Sequence, residues 1–306
     1  MSSVATSLGT GAFSRAQMDS HLDLLDLHFD DSNGCLWYFI NQNATTYYSR
    51  ELLAQIREVQ RSVDEVTALP CTHYAPEQVK YVVFGSRLPG VFGYGGDLQL
   101  FHDLIQNRDR PGLSAYARLA ADAVFHHASN SRRITTISLV QGEALGGGFE
   151  AALAANVLVA ERGARMGFPE VLFGLFPGMG GYTFLRRRIS AADAESMIVD
   201  ANIHTAEELY EMGIVDVLAE PGEGEYEIDR YIRRIRNHPG SSAFRGALNR
   251  VKTVDHAELY GISEAWVDAA MELEPRYLGR MEKLIRKQRQ KTAPRFSPVA
   301  AISAHS

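Results

Sequence analysis

The sequence has few cysteines, and this scarcity narrows what the protein can be. Only two cysteines, Cys35 and Cys71, occur in 306 residues, which is too few for a disulfide framework. Since neither has a C-x-x-C partner, we expect both to be small apolar side chains instead of metal ligands or catalytic thiols. The sequence therefore predicts a reduced, cytoplasmic protein.

No segment has the composition of a membrane span or a secretion signal. The longest apolar run, at 151–160, is interrupted by Asn156 and has about half the length that a bilayer requires. Residues 1–21 contain neither a cationic start nor an unbroken apolar core, so we interpret them as a flexible tail instead of a signal peptide. Neither secretion nor membrane insertion is expected.

Positive charge is not in excess either. The 31 Lys and Arg residues are outnumbered by 37 Asp and Glu residues, and the formal net charge is −6. Such a chain has no general attraction for phosphate backbones, which makes nucleic acid a poor candidate partner. With 45% apolar and 22% charged residues, the composition is that of a globular protein with a large core.

Strand-like and helix-like segments alternate along the first two thirds of the chain. Segments 22–30 and 35–42 flank the turn sequence DSNG and predict a β-hairpin. Helical periodicity then begins after Ser49, a potential N-cap. The further predicted elements are strands at 79–86, 135–142 and 156–163, helices at 97–107 and 113–127, and a helix that begins at 146–148. This alternation predicts a layered α/β fold with parallel strands.

Helical patterns dominate after residue 191. Helices are predicted at 191–200, 205–212, 223–236, 257–273 and 275–291. The chain is accordingly divided into a flexible tail at 1–21, a core domain at 22–220, a helical C-terminal region at 221–291 and a flexible tail at 292–306.

Two glycine-rich segments each follow a predicted strand and precede a predicted helix. They are FGYGGDL at 92–98 and QGEALGGGFE at 141–150. Without Cβ atoms, amide N–H groups can approach a ligand closely, and the start of a helix presents unpaired donors. Taken alone, each cluster is more simply explained as a tight turn.

A third segment, MGFPEVLFGLFPGMGG at 166–181, embeds Glu170 in an apolar stretch. Burial there would raise the pKa of the carboxyl group or require a partner, and an isolated glutamate of this kind is usually structural. The combination with Glu150 and two donor clusters changes the interpretation. Donors can hold a carbonyl oxygen as it becomes negative, while two acids move protons at the neighbouring carbons. The combination predicts enolate chemistry.

Together these motifs resemble the crotonase, or enoyl-CoA hydratase/isomerase, superfamily over nearly the whole chain. The match comprises GxALGGGxE, a P-E pair twenty residues later, PGxGG and the upstream GGDL. The resemblance implies a crotonase spiral of ββα units with a helical C-terminal region used for trimerisation, and hence a homotrimer or a dimer of trimers. It also implies an acyl thioester substrate, carried on coenzyme A or acyl carrier protein, with no further cofactor and no metal.

The same resemblance assigns roles to four residues. The backbone N–H groups of Gly96 and Gly147 would form an oxyanion hole, and Glu150 and Glu170 would be the catalytic acids. In a dehydration, Glu170 would remove the C2 proton and Glu150 would protonate the departing C3 hydroxyl group.

A narrower resemblance is to the diffusible signal factor synthases, bacterial crotonase relatives that make cis-2-unsaturated fatty acid signals. It rests on GGDLQLF at 95–101, GGGFEAAL at 146–153, PEVLF at 169–173, LFPGMG at 175–180 and AWVD at 265–268. It implies a dehydratase of 3-hydroxyacyl groups on acyl carrier protein that also hydrolyses the thioester. Neither the N-terminal tail nor the loop 71–78 matches anything in that family.

Five large apolar residues are candidates for lining an acyl tunnel, and each fits equally well as part of the core. They are Phe149, Leu172, Phe173, Phe176 and Trp266. The basic stretch 280–291 forms either a solvated helix face or a contact with coenzyme A phosphates or an acidic carrier protein. His126 and His127 lack metal-site spacing and are expected to cap a helix or lie at the surface.

Two other functions stay open besides the signal synthase. One is a coenzyme A hydratase of fatty-acid breakdown, and the other is a noncatalytic crotonase-fold binding protein. The paired glutamates argue against the binding protein. The Phe-rich segment and the tryptophan segment favour the signal synthase over the hydratase, through the resemblance alone.

Overall fold

Two β-sheets surrounded by helices make up the computed structural model, which describes residues 22–68, 79–129, 134–251 and 253–292. The predictions for the N-terminal tail, for the loop 71–78 with Cys71, and for the tail beyond Thr292 lie outside the described residues. The strands are β1 (Leu25–Asp30), β2 (Cys35–Ile40), β3 (Tyr81–Ser86), β4 (Val91–Gly93), β5 (Thr135–Val140), β6 (Glu143–Leu145), β7 (Val157–Glu161), β8 (Arg165–Gly167), β9 (Ile203–Thr205) and β10 (Val217–Ala219).

Helices fill most of the remaining described chain. They are α1 (Arg50–Ala68), α2 (Leu98–Gln106), α3 (Arg110–Ser129), α4 (Gly147–Leu153), α5 (Gly181–Leu185), α6 (Ala191–Val199), α7 (Ala206–Glu211), α8 (Gly224–Arg236), α9 (Pro239–Val251), α10 (His256–Met271) and α11 (Pro275–Thr292), with a 3₁₀ turn at Glu170–Phe173. The predicted helices are confirmed to within a few residues, and α5 and α9 were not predicted. Ser49 caps α1 as expected, because its Oγ accepts a hydrogen bond from the Leu52 N–H at 3.2 Å.

The larger sheet has six strands in the order β1-β2-β3-β5-β7-β10. Strands β1 and β2 form the predicted antiparallel hairpin, in which Asp30 pairs with Cys35 and Gly34 takes a left-handed φ of 63° in the turn. All other neighbours in this sheet are parallel, as the strand–helix alternation predicts.

Both faces of the larger sheet are covered. Alternate residues of β2 belong to two apolar clusters, with Tyr38 on one side and Cys35 on the other, where α8 packs. Burial raises the pKa of the Cys35 thiol, so this cysteine is an inert core residue as predicted. No described helix is long and apolar enough to cross a membrane.

The smaller sheet was not predicted, and it positions the glycine segments. Its order is β4-β6-β8-β9, and β4, β6 and β8 run parallel. Each of these three strands has only three residues, too few for a periodic signal. Since the carboxyl ends of parallel strands lie at one edge of a sheet, Gly95, Gly146 and Pro169 follow their strands at the same edge.

The C-terminal helices pack back on this region. Helix α10 packs along α3, and α11 crosses α2 and the 3₁₀ turn at Glu170–Phe173. The role of these helices in trimerisation stays a prediction.

Candidate active site

The two glycine clusters meet backbone to backbone. A Cβ atom on Gly95 would lie 3.0 Å from the Gly147 nitrogen, and one on Gly148 would collide with the carbonyl oxygen of Gly93. Glycine is therefore required here by close approach, and a tight turn alone is not the reason for these clusters. The loops after β4 and β6 form one continuous wall.

Two backbone N–H groups at this wall are available to a ligand. The Gly95 carbonyl accepts a hydrogen bond from the Tyr48 N–H at 2.8 Å. Because the C=O and N–H of a trans peptide point in opposite directions, the Gly96 N–H of the same peptide points away from Tyr48. Gly147 is the first residue of α4 and has no intrahelical acceptor. Neither N–H donates a hydrogen bond among the described residues.

A cavity of about 340 Å³ opens beside these donors. Its lining includes the four residues to which the sequence resemblance assigns a chemical role: Gly96, Gly147, Glu150 and Glu170. Most of its other lining residues are apolar, and they include Leu98, Phe101, Ala117, Ala120, Met179 and Leu284. The arrangement is that of a largely apolar pocket with a small number of polar groups.

Glu150 is buried in α4 and is held by the backbone of the third segment. Its Oε1 accepts hydrogen bonds from the N–H groups of Met179 and Gly181, each at 2.8 Å. Burial raises the pKa of this carboxyl group to about 7, and the backbone N–H groups partly oppose that shift. The backbone of the PGMGG sequence thus holds the buried carboxylate of Glu150.

Glu170 begins the 3₁₀ turn and has a different environment. It is 8% exposed, and its Oε2 has no hydrogen-bond partner among the described residues. Burial, and secondly the negative charge of Glu150, raise the pKa of the Glu170 carboxyl group well above its ordinary value. Of the two acids, Glu170 therefore holds a proton more strongly, while Glu150 is better able to ionise.

Gly146 lies directly before the helix that carries Glu150 and next to the carboxyl group of Glu170. Its backbone has φ 58° and ψ −128°, a conformation that turns β6 into α4 and favours glycine. A Cβ atom at this position would also lie 2.7 Å from the Glu170 Oε1.

Three of the five predicted tunnel residues line the cavity: Phe173, Phe176 and Trp266. Phe149 instead takes the core alternative, and for Leu172 neither alternative is found. Phe149 is fully buried against Phe168, with ring centroids 4.9 Å apart, because successive helical residues point about 100° apart and Glu150 takes the cavity side. Leu172 is 57% exposed, since a 3₁₀ turn places only residues three apart on one face.

Several lining residues were not singled out from the sequence. Tyr94 donates a hydrogen bond from its hydroxyl group to the Glu143 Oε2 at 2.6 Å, and both residues line the cavity. These two residues lie within the glycine-rich segments 92–98 and 141–150, so the sequence itself points to them. Tyr116 and Gln288 also line the cavity but lie far from any motif, so only the tertiary structure reveals them.

The two adjacent histidines lie away from this cavity's lining. The His126 Nδ1 lies 3.1 Å from the Asp64 Oδ2. His127 is buried, with its Nε2 3.2 Å from the Ser138 Oγ, and burial lowers its pKa to about 4. The expectation of a surface or capping role is therefore wrong for His127. Within the described ranges, no group of three or more His, Cys, Asp or Glu side chains could hold a metal ion.

Comparison with known sequences gives one family. The sequence model of the enoyl-CoA hydratase/isomerase family matches residues 64–242. Over 173 residues the chain is 30% identical to mitochondrial methylglutaconyl-CoA hydratase of Rattus norvegicus, covering 56% of this chain and 48% of that protein. Over 167 residues it is 34% identical to the fatty acid oxidation complex subunit alpha of Pseudomonas syringae, covering 54% of this chain and 22% of the relative. The chain thus spans less than half of each relative.

Solved structures share the fold at low identity. Enoyl-CoA hydratase from Bacillus halodurans superimposes with a TM-score of 0.71 at 16% identity, covering 85% of this chain and 99% of that one. DspI from Pseudomonas aeruginosa gives a TM-score of 0.60 at 23% identity, covering 75% and 79%. From the sequence match, the fold and the cavity, the chain belongs to the enoyl-CoA hydratase/isomerase family, a part of the crotonase superfamily.

Proposed function

We propose that the protein removes water from 3-hydroxyacyl thioesters on acyl carrier protein and then hydrolyses the thioester, releasing a cis-2-unsaturated fatty acid signal. The observation that carries the proposal is the placement of Glu150 and Glu170 in one cavity with the N–H groups of Gly96 and Gly147. Two buried acids and two free donors are what a reaction through an enolate requires.

The elimination uses all four groups. Ionised Glu170 removes the C2 proton, and the electron pair moves onto the thioester oxygen, where the N–H groups of Gly96 and Gly147 stabilise it. The pair then returns to form the C2–C3 double bond as the C3–O bond breaks. Protonated Glu150 supplies the proton that converts the leaving hydroxyl group to water. Removing one such oxyanion donor typically lowers the rate about 10²–10³-fold.

The protonation states of the two acids determine the direction of reaction for which the site is prepared. Because two backbone N–H groups stabilise ionised Glu150 and none of the described groups bonds the Glu170 Oε2, the favoured arrangement is protonated Glu170 with ionised Glu150. That arrangement suits the reverse reaction, in which Glu150 activates water and Glu170 protonates C2. Elimination starts from the opposite arrangement, with Glu170 ionised and Glu150 protonated, so the two directions use the same acids in exchanged protonation states.

Hydrolysis needs one further molecule of water and no additional side chain. Water attacks the thioester carbonyl, the same N–H groups hold the tetrahedral oxyanion, and the carbon–sulfur bond breaks. The carboxyl group remains on the fatty acid and the thiol remains on the carrier arm. Every proton in this scheme moves between a glutamate, water and the substrate, so the proposal includes no cofactor besides the phosphopantetheine of the carrier.

A second candidate function is enoyl-CoA hydratase. The favoured proton arrangement supports it, as do the names of the curated relatives, which include a methylglutaconyl-CoA hydratase. It uses the same residues in the reverse direction and stops before thioester hydrolysis. A noncatalytic crotonase-fold binding protein is disfavoured, because it gives no reason for two buried acids in one cavity.

Mass spectrometry of lipid extracts from a heterologous bacterium that expresses this chain tests the proposal. New 2-unsaturated fatty acids in the extract, absent when the Glu170→Gln variant is expressed at the same level, support it. Unchanged extracts from cells whose lysate hydrates enoyl thioesters would leave the hydratase as the function.

A further inference from the structure

The C-terminal helix α11 bonds to the backbone on both sides of the candidate active site. At one end, the Arg280 Nη1 donates to the carbonyl oxygen of Leu172 at 2.9 Å, in the 3₁₀ turn that carries Glu170. Two turns later, about 12 Å along the helix, Gln288 contacts the loop that carries Gly96. Helix α11 thus bridges the turn that presents one acid and the loop that presents one donor.

Gln288 makes a specific contact at that loop. It is 8% exposed, and its Nε2 donates to the carbonyl oxygen of Gly96 at 3.2 Å and to that of Tyr94 at 3.4 Å. These two carbonyls flank the Gly95 carbonyl, which the Tyr48 N–H holds from elsewhere in the fold. Three successive carbonyls of the loop therefore have fixed donors.

The consequence concerns the Gly96 N–H, which donates no hydrogen bond among the described residues. The peptide between Gly95 and Gly96 can rotate about its Cα atoms unless its neighbours are held, and glycine restricts such rotation least. With the carbonyls of Tyr94, Gly95 and Gly96 all bonded, the Gly96 N–H keeps one direction, toward the cavity. A displacement of about 1 Å at a reacting group can cost about 10²-fold in rate.

We propose that Gln288 is a positioning residue that fixes the direction of the Gly96 N–H through the carbonyls of Tyr94 and Gly96. The inference rests on the proposed function, because it assumes that Gly96 stabilises the oxyanion. Gln288 acts through the loop backbone, and the property that matters is its primary amide, which has two N–H donors and reaches both carbonyls at once.

Two substitutions separate this role from plain packing. Gln288→Met keeps the length of the side chain and removes the donors. Gln288→Glu keeps the shape, but the ionised carboxylate faces two carbonyl oxygens and donates nothing, whereas the protonated carboxyl group regains one donor. The matched control is Lys283→Met, which alters an exposed residue of the same helix.

For Gln288→Met we expect kcat to fall about 10- to 100-fold with KM within about twofold of wild type. The carbonyl stretch of a bound ¹³C-labelled thioester should shift toward the frequency of the free thioester. For Gln288→Glu, the ratio of its kcat to that of wild type should rise roughly tenfold as the pH falls. The ratio for Gln288→Met should stay flat, and the kcat of Lys283→Met should match that of wild type.

Wild-type kcat in Gln288→Met, or equal pH dependence of the two Gln288 variants, would overturn the inference. An equal loss in Lys283→Met would also overturn it, because helix packing would then be the cause. Retained turnover in both Glu150→Gln and Glu170→Gln would instead defeat the proposed function itself. The two failures are therefore distinguishable.

Discussion

Glu150 and Glu170 share one cavity but have opposite hydrogen-bonding environments. Two backbone N–H groups hold the Glu150 Oε1, whereas the buried Glu170 Oε2 has no partner among the described residues. Two like acids are thereby made unequal by the backbone around them, which is how a fold separates an acid from a base at one pH.

The unequal acids predict a pH dependence for hydration. This direction needs ionised Glu150 and protonated Glu170, so the rate should fall as the pH drops below about 7, the pKa of Glu150. It should also fall at high pH, where Glu170 loses its proton. Initial rates of water addition to an enoyl thioester across the pH range check this. A rate that keeps rising toward low pH would contradict the assignment.

Replacing either acid by its amide should abolish turnover. We expect Glu150→Gln and Glu170→Gln each to lower kcat about 10²–10⁴-fold, because each removes one proton-transfer group while keeping the side-chain shape. Steady-state rates with a 3-hydroxyacyl thioester measure the loss, and circular dichroism checks the fold. A variant within tenfold of wild type would remove that glutamate from the mechanism.

One of these substitutions, Glu170→Gln, should also stabilise the protein at alkaline pH. A carboxyl group whose pKa is raised on folding binds its proton more tightly in the native state, so its contribution is lost as the pH rises from the unfolded pKa to the folded one. Glu170→Gln should therefore raise Tm at pH 8 by about 3 °C or more, and by less at pH 5. A Tm change that is equal at both pH values would contradict the raised pKa.

Gly146→Ala should inactivate the protein through contact with Glu170. The new methyl group would lie 2.7 Å from the Glu170 Oε1, in addition to the strain at φ 58°. The matched control is Gly163→Ala, which has φ 80° but nothing within 4 Å of the added Cβ. We expect about 1–2 kcal/mol of destabilisation in the control, from backbone strain alone, with activity retained. Equal activity in both variants would show that the contact does not matter.

Replacing Phe176 and replacing Leu172 should have different effects on KM for thioesters with long acyl chains. Phe176 lines the cavity, whereas Leu172 is exposed outside it. Phe176→Ala should raise KM for a long-chain thioester about 10- to 100-fold, since an apolar contact of about 1.5–3 kcal/mol is lost, and should change KM for a short-chain thioester much less. Leu172→Ala should leave both values unchanged. An effect of Leu172→Ala as large as that of Phe176→Ala would contradict the assignment of the acyl pocket.

Local sequence patterns predicted five of the six strands of the larger sheet, because each of these five has five or six residues and can show a period. Strand β10 has three residues and was not predicted. The turn sequence ending in Gly34 and the cap at Ser49 are local chemistry and are found where expected. The strands of the smaller sheet have three residues each and carry no period. Their existence was implied only by the family resemblance.

The candidate site was predictable where a motif covered it. Motif positions identified Glu150, Glu170, Gly96 and Gly147, which the fold brings to one cavity. The error at Leu172 arises because nothing in the local sequence indicates a 3₁₀ turn, whose period decides which neighbour faces inward. Gln288 lies 192 residues from Gly96, and no local pattern predicts a contact at that separation.

The central claim is thioester release, and a paired assay on the purified protein tests it most directly. Matched 3-hydroxyacyl thioesters of coenzyme A and of acyl carrier protein are supplied, and free thiol is measured together with the 2-unsaturated acid. We predict that thiol and unsaturated acid appear in equal amounts from the carrier-protein substrate, and that neither appears with Glu170→Gln. Rapid reversible hydration of the coenzyme A substrate without thiol release would contradict the account.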